Sequence, residues 1–331
     1  MQVGDIRELS QSTLCNGPPD NGRVDRGVRE YEGGQVFERA AESFGWSSGK
    51  SKNRNASVDV AVLDLEALSD SVPELEEIDK RFAAAPDRGF RGRAFHEYWI
   101  IQRLVKSHVD LDGARILDFG CGVGIAATSF ALRHPGATVF GTDVLEPDME
   151  RVRRECYEQT GLSLPENLSL FWSETGSLPD QVCDMDLIYA WSVFEHVNFT
   201  QIADTMRLIR ARLRAKGIFL LQMNPLYFSP RGSHLHRYDS TPWTHLLNQS
   251  DVLKDKVMKS AHPETRKIRE WEQFEALNRA TADDIKEAAQ QAGFSLLFEE
   301  RLRTAETPPP RLLRVYHREV LETEEVRLLL T

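Results

Sequence analysis

The segment Ile116-Leu117-Asp118-Phe119-Gly120-Cys121-Gly122-Val123-Gly124 narrows most sharply what this chain can fold into. An apolar run of strand length ends in an acid, and three glycines at alternate positions then lead into a stretch of helical spacing. Glycines let the backbone turn tightly and lie close to a ligand, because no Cβ intervenes. The helix that follows offers amide groups with no partner inside it. In an open α/β sheet the ligand crevice lies at the carboxyl ends of the strands, where such a turn falls. A second acid, Asp143, ends the next apolar run in Phe140-Gly141-Thr142-Asp143-Val144. A carboxylate there can accept both hydroxyls of a ribose, so the two acids point to a nucleoside-bearing cofactor.

The surrounding pattern supports a sheet of this kind. Strands are expected over 114–119, 137–143, 168–172, 187–191 and 218–223, alternating with helices over 124–133, 147–159 and 201–214. Such alternation implies a parallel sheet covered on both faces, and right-handed crossovers make it doubly wound. Ahead of it, helices are expected over 74–82 and 93–108, the second from Tyr98, Ile101, Leu104 and Val105 at three- and four-residue steps. Residues 225–279 break the rhythm with a stretch rich in His, Trp, Pro and charge. A helix over 282–292, with Gly293 as its cap, and strands over 294–301 and 326–330 complete the reading. The expected organisation is therefore an irregular tail over 1–60, with a short helix near 36–44, and a domain over 74–331. Elements over 74–110 form a lid, and 225–280 form a substrate-side insertion.

Charge and cysteine usage limit the partners. A formal net charge of −10 disfavours a phosphate backbone as ligand, and the densest basic segment, Arg207 to Lys216, falls on an expected helix face. No apolar run approaches the roughly 18–20 residues that span a bilayer, and the first residues carry no apolar leader. Cys15, Cys121, Cys156 and Cys183 form no C-x-x-C pair, so reduced thiols and a cytoplasmic location are expected. The expected partner is a small-molecule acceptor, with no nucleic acid and no membrane; a homodimer is admitted.

Gly122-Val123-Gly124-Ile125-Ala126-Ala127 can be laid on the dinucleotide pattern G-x-G-x-x-A, which keeps an NAD(P)-dependent oxidoreductase as a second reading. Asp118-x-Gly120-x-Gly122-x-Gly124, however, resembles the first motif of the class I S-adenosylmethionine (SAM)-dependent methyltransferases. The resemblance extends through Asp143, Ser173-Glu174-Thr175 with Leu178-Pro179, and Asp186-Leu187-Ile188-Tyr189-Ala190-Trp191 running into Phe194-Glu195-His196-Val197. It continues through Leu213-Arg214-Ala215-Lys216-Gly217-Ile218 and Thr281 to Phe294. It implies a Rossmann-like sheet of seven mostly parallel strands with a reversed last strand, and SAM as cofactor. It also implies Gly120, Gly122 and Gly124 around the methionine part with Asp118 close by, Asp143 at the ribose and Glu174 at the adenine. Cys121, Val144, Thr175 and Trp191 complete the expected cofactor set.

SAM carries the electrophile, so the protein's task is to align an acceptor with the methyl group. A hydroxyl acceptor must also lose a proton, and histidine is the usual agent. His234, His236 and His245 lie in the insertion after the fifth strand, with His234 first among them as general base, and His196 is a further candidate. The expected activity is methyl transfer to a hydroxyl of a metabolite, sugar or natural product; a non-catalytic SAM-binding protein is the third reading. His234 and His236 at i, i+2 raise a metal site, but no third ligand has a matching spacing. Some SAM methyltransferases carry E-x-x-E-H before the fifth strand and bind a cation there; Ser192 stands in place of the first glutamate here, so no metal is expected. Asn224-Pro225-Leu226-Tyr227 resembles the N-P-P-Y motif of amino-group methyltransferases, but it follows strand five rather than strand four and is taken as chance.

Overall fold

The computed structural model describes residues 73–331, and the sheet lies in the compact unit Arg81–Thr331. The expected tail over 1–60 and its short helix lie outside the described residues. Strands β1 (Arg115–Phe119), β2 (Thr138–Asp143), β3 (Leu168–Trp172), β4 (Met185–Trp191), β5 (Leu213–Met223), β6 (Leu296–Arg303) and β7 (Thr323–Leu330) make one sheet. Their order is β3-β2-β1-β4-β5-β7-β6. The first five run parallel, and β7 is antiparallel to both β5 and β6. The chain thus leaves β1 in one direction and returns to β4 on its other side, which opens a crevice at the carboxyl end of β1.

Both faces of the sheet are covered, which explains why its central strands are nearly continuous apolar runs. All of β4 except Trp191 is buried. On one face Leu117, Ile188, Phe219 and Leu328 pack with Met206 and Ile209 of α5 (Ile202–Arg212) and with Ile285 and Ala289 of α8 (Ala282–Gln291). On the other, Ile116, Leu187, Tyr189 and Leu220 pack with Ile101 and Val105 of α2 (Tyr98–Val105) and with Ala127 and Phe130 of α3 (Ile125–Arg133). Each such buried aliphatic or aromatic side chain contributes roughly 1.5–3 kcal/mol. The remaining α-helices of eight residues or more are α1 (Pro73–Ala84), α4 (Met149–Thr160), α6 (Ser250–Met258) and α7 (Glu264–Ala276).

Three elements differ from the sequence reading. The helix expected over 93–108 opens with a π-helical stretch, Gly92–Glu97, entered from the short helix Arg88–Arg91; a 3.6-residue period does not reveal such a widened turn. The helix expected to run to residue 214 stops at Arg212, and β5 begins at Leu213, which pairs with Met185. Gly217 permits that pairing, since a Cβ on it would stand 2.5 Å from the Met185 carbonyl. The insertion carries α6 and α7, held by a small core of Leu235, Leu253, Val257 and Trp271. Gly293 lies just beyond the α8 cap residue Ala292, with φ 86°.

Candidate functional site

The glycine loop sits at the crevice and is tied to its neighbours by backbone. Gly120 and Cys121 donate to the Thr142 carbonyl at 2.8 and 3.0 Å. Gly120 has φ 78°, and a Cβ on it would stand 2.4 Å from a methyl of Val193. The Asp143 carboxylate accepts the Gly122 amide at 2.7 Å on one oxygen and the Leu145 amide at 2.9 Å on the other. It therefore fixes both the glycine loop and the turn after β2 by charge-assisted bonds. Asp118 is buried; burial pushes its pKa up to about 7, although the Tyr189 hydroxyl, Arg93 and the Ala127 amide in the first turn of α3 all favour the ionised form. Cys121 is buried beside Asp118 and Asp143, and its thiol pKa is raised, chiefly by burial, so it is not a nucleophile.

Sequence reasoning missed two partners of this loop. Arg93 and Glu97 both lie on the π-helical stretch. A guanidinium nitrogen of Arg93 is 3.5 Å from where a Cβ on Gly122 would stand. Burial raises the Glu97 pKa to about 8 against the pull of Arg93, with Asp118 adding to the rise. Nothing in the local periodicity distinguishes these residues from a solvated helix face.

Beyond β3, Ser173 is buried; its amide donates to the Asp143 carbonyl at 2.9 Å and its hydroxyl to the Ser177 carbonyl at 2.6 Å. The turn it closes leaves Glu174 and Thr175 exposed. Val144, Leu145 and Trp172 are also exposed, and the Trp172 indole donates to the Val144 carbonyl at 3.1 Å. Three large apolar side chains thus stand open around the ends of β2 and β3.

At the end of β4, half-buried Trp191 faces the Arg327 guanidinium, which lies 5.8 Å from its ring. Ser192 has φ 54°, and its amide and hydroxyl both donate to the Gln222 amide oxygen at 2.9 and 3.1 Å. The 3-10 turn Phe194–His196 follows, clamped by Asn278, whose side chain donates to the Phe194 and Val197 carbonyls at 2.6 and 2.7 Å. Glu195 on this turn is buried, and neither carboxylate oxygen has a partner from another residue. Burial pushes its pKa up to about 8, with Glu325 adding to the rise.

Three of the four candidate histidines come together here. His196 is exposed and meets the His234 ring edge-on, with centroids 5.5 Å apart. His234 has φ 59°, in the left-handed region that a non-glycine residue enters at a cost. The Pro225 carbonyl accepts from its ring, while its Nε2 is buried without a partner. Burial, with His196 next in effect, lowers the His234 pKa to about 4. His245 is buried; its Nε2 lies 2.6 Å from the Tyr227 carbonyl and its Nδ1 has no partner. Burial lowers its pKa to about 4 as well. His236 is exposed, near Arg231, Arg237 and Glu270. Among the described residues, no group of three or more His, Cys, Asp or Glu is arranged to hold a metal ion, and no helix is long and apolar enough to cross a membrane.

The Glu195 environment carries a pH signature. Its folded pKa of about 8 lies above the ordinary 4.5, so between those values the folded chain holds the extra proton. Its contribution to stability is present below pH 4.5 and is lost as the pH rises to about 8. Glu195→Gln is expected to gain on the wild type across that window, by on the order of a few kcal/mol at the alkaline end. Urea unfolding at both ends of the window checks this; an equal difference at both would mean that Glu195 is ionised in the fold.

A family model described as a methyltransferase domain matches residues 91–298, more than half of the chain. The chain is similar to a ubiquinone biosynthesis O-methyltransferase from Methylocella silvestris, 30% identical over 140 residues, covering 38% of this chain and 51% of that protein. It is also similar to a cypemycin N-terminal methyltransferase from Streptomyces, 41% identical over 51 residues, covering 15% and 20%. It therefore spans about half the length of the first relative and a fifth of the second. Among solved structures, magnesium protoporphyrin IX methyltransferase from Synechocystis aligns with a TM-score of 0.42 at 14% identity, covering 91% of this chain and 96% of that one.

Proposed function

Because the chain belongs to the methyltransferase-domain family, with SAM as its cofactor, we propose that it transfers the cofactor's methyl group to a hydroxyl of a small molecule, with His234 as proton acceptor. The observation that carries the last step is the His234 ring: the Pro225 carbonyl holds one nitrogen, and the other is buried without a partner. Family membership leaves no place for the nicotinamide reading of the glycine loop. The name of the ubiquinone O-methyltransferase relative supports oxygen as the acceptor atom.

The loop fits a SAM-like group. Close backbone approach at Gly120, Cys121, Gly122 and Gly124 is matched by a polar set of Asp118, Arg93 and Glu97, suited to an amino-acid end that carries both charges. Asp143 is suited to the ribose hydroxyls. The open apolar surfaces of Val144, Leu145 and Trp172, with Glu174 and Thr175, suit the flat base, and Trp191 lines the far side. When bound, the sulfonium supplies an electrophilic methyl group. His234 stays unprotonated at neutral pH because its pKa is about 4, and it takes the hydroxyl proton as the oxygen gains the methyl group. Exposed His196, edge-on to His234, then offers that proton a way to solvent.

Calorimetric titration with SAM and with its demethylated product, S-adenosylhomocysteine (SAH), tests the cofactor assignment. Asp143→Ala is expected to weaken both by about tenfold or more, the loss of charge-assisted bonds. Wild-type affinity is expected to rise as Asp118 and Glu97 ionise, through about pH 7 and 8, with proton release visible in buffers of different ionisation enthalpy. Binding without proton release in that range would place both acids out of the cofactor's reach. SAM binding without transfer to any hydroxyl or amine in an acceptor panel would leave the chain a non-catalytic SAM-binding protein.

A further inference from the structure

Beside the buried, unpartnered nitrogens of His234 and His245 stand groups that proton transfer does not require. Tyr227 is one of them: its ring meets His245 edge-on, with centroids 5.1 Å apart. The Arg279 guanidinium lies over that Tyr227 ring, 5.3 Å from its centroid, and is close enough to His245 to help lower its pKa. Arg279 is exposed and makes no ion pair with a carboxylate among the described residues. Arg231, beside His236 and Glu324, makes none either.

Two arginines of β6 and β7 are instead neutralised by acids. Arg301 is paired with Asp283, Glu299 and Glu319, and Arg327 with Glu300 and Glu325. A neighbouring cavity of about 400 Å³, lined by Leu226, Phe228, Thr281, Arg301 and His317, therefore presents cations whose charge is already met. Arg279, held over the Tyr227 ring, has no acid paired with it among the described residues. The Tyr227 ring and hydroxyl hold the group in place, and its remaining donors are available to a carboxylate or phosphate.

We infer that the methyl acceptor carries an anionic group, a carboxylate or a phosphate, which Arg279 binds while the acceptor hydroxyl meets His234. This rests on the proposed function and adds the substrate's charge to it. Arg279 is the specificity residue, and the aromatic wall of Tyr227 and Phe228 accommodates a flat scaffold between the charge and the hydroxyl.

The test uses the full chain loaded with SAH and titrated with protocatechuate, its neutral amide and phenyl phosphate. At least one of the two anions is expected to bind about tenfold tighter than the amide, the size of a lost charge-assisted bond. The stronger of the two identifies the anion. Arg279→Gln is expected to bring the anion-to-amide ratio close to one, whereas Arg279→Lys, which keeps the charge without the fork, retains part of it. Equal binding of anions and amide, or no binding of any of them, overturns the inference, as does a preference that survives in Arg279→Gln. Failure of the wild type to bind SAH at all instead overturns the cofactor assignment, and is seen before any acceptor is added.

Discussion

Replacing Gly120 by alanine is expected to abolish measurable SAM binding and to cost about 2–4 kcal/mol of stability. Two effects add. At φ 78° an alanine pays for the left-handed backbone, by roughly 1–2 kcal/mol. Its Cβ would also stand 2.4 and 2.7 Å from the two methyls of Val193. Val193 is branched and immediately precedes the 3-10 turn Phe194–His196, so it cannot swing away without moving that turn. Either the glycine loop or the turn must shift, and the first is the proposed cofactor cradle while the second carries Glu195 and His196. Gly113→Ala is the control: its φ is 76°, but nothing lies within 4 Å of the added Cβ, so only the backbone cost of roughly 1–2 kcal/mol is expected. Urea unfolding and calorimetry on the pair separate the two effects. If Gly120→Ala behaves like Gly113→Ala, Val193 does not brace the loop.

His234→Asn is expected to lower kcat by roughly 10²–10⁴-fold, the usual contribution of a positioned base. Asparagine is the substitution of choice because it tolerates the left-handed conformation that His234 adopts, whereas alanine adds strain of its own. Folding and SAH binding therefore report that the variant is intact, and turnover reports the loss of the proton acceptor. In the wild type held saturated with SAM, kcat/KM for the acceptor is expected to fall as the pH drops through about 4, the pKa to which burial lowers the ring. An acid limb at the ordinary histidine value, 6.5, would instead place the proton on a more exposed ring. Full turnover by His234→Asn with an authentic acceptor would remove the base assignment altogether.

What the sequence disclosed follows from how local each signal is. The glycine loop, Asp143 and the alternation of strands and helices depend on residues adjacent in the chain, and the fold and family could be inferred from them. Arg93 and Glu97 reach the loop because a π-helical stretch sits where periodicity alone points to an ordinary amphipathic helix. Glu195 stood in view as part of Glu195-His196, but its environment is set by residues far along the chain: Glu325, on the last strand, adds to its pKa rise, and Asn278, at the exit of the insertion, clamps its turn. The four histidines were indistinguishable as letters. What separates them is the Pro225 and Tyr227 carbonyls and the outward position of His236, all products of how the insertion folds back. Arg279 carried no signal at all, since only its place over the Tyr227 ring, with no paired acid among the described residues, sets it apart.

The placement of β7 between β5 and β6 bears on how the protein reaches its native state. β6 pairs only with β7, so until β7 is in place β6 has no strand to join, and the outer edge of β5 stays open. That edge exposes the backbone of Phe219, Leu220 and Leu221, an apolar template for another chain. The bonds that close it join distant parts of the sequence; the Asn224 side chain, for example, meets Glu325 across 101 positions. High contact order of this kind slows folding and prolongs the life of the open-edged intermediate. Recovery from denaturant should therefore fall with rising protein concentration, and the end of β4 at Trp191, which faces Arg327 of β7, should be among the last parts of the molecule to order.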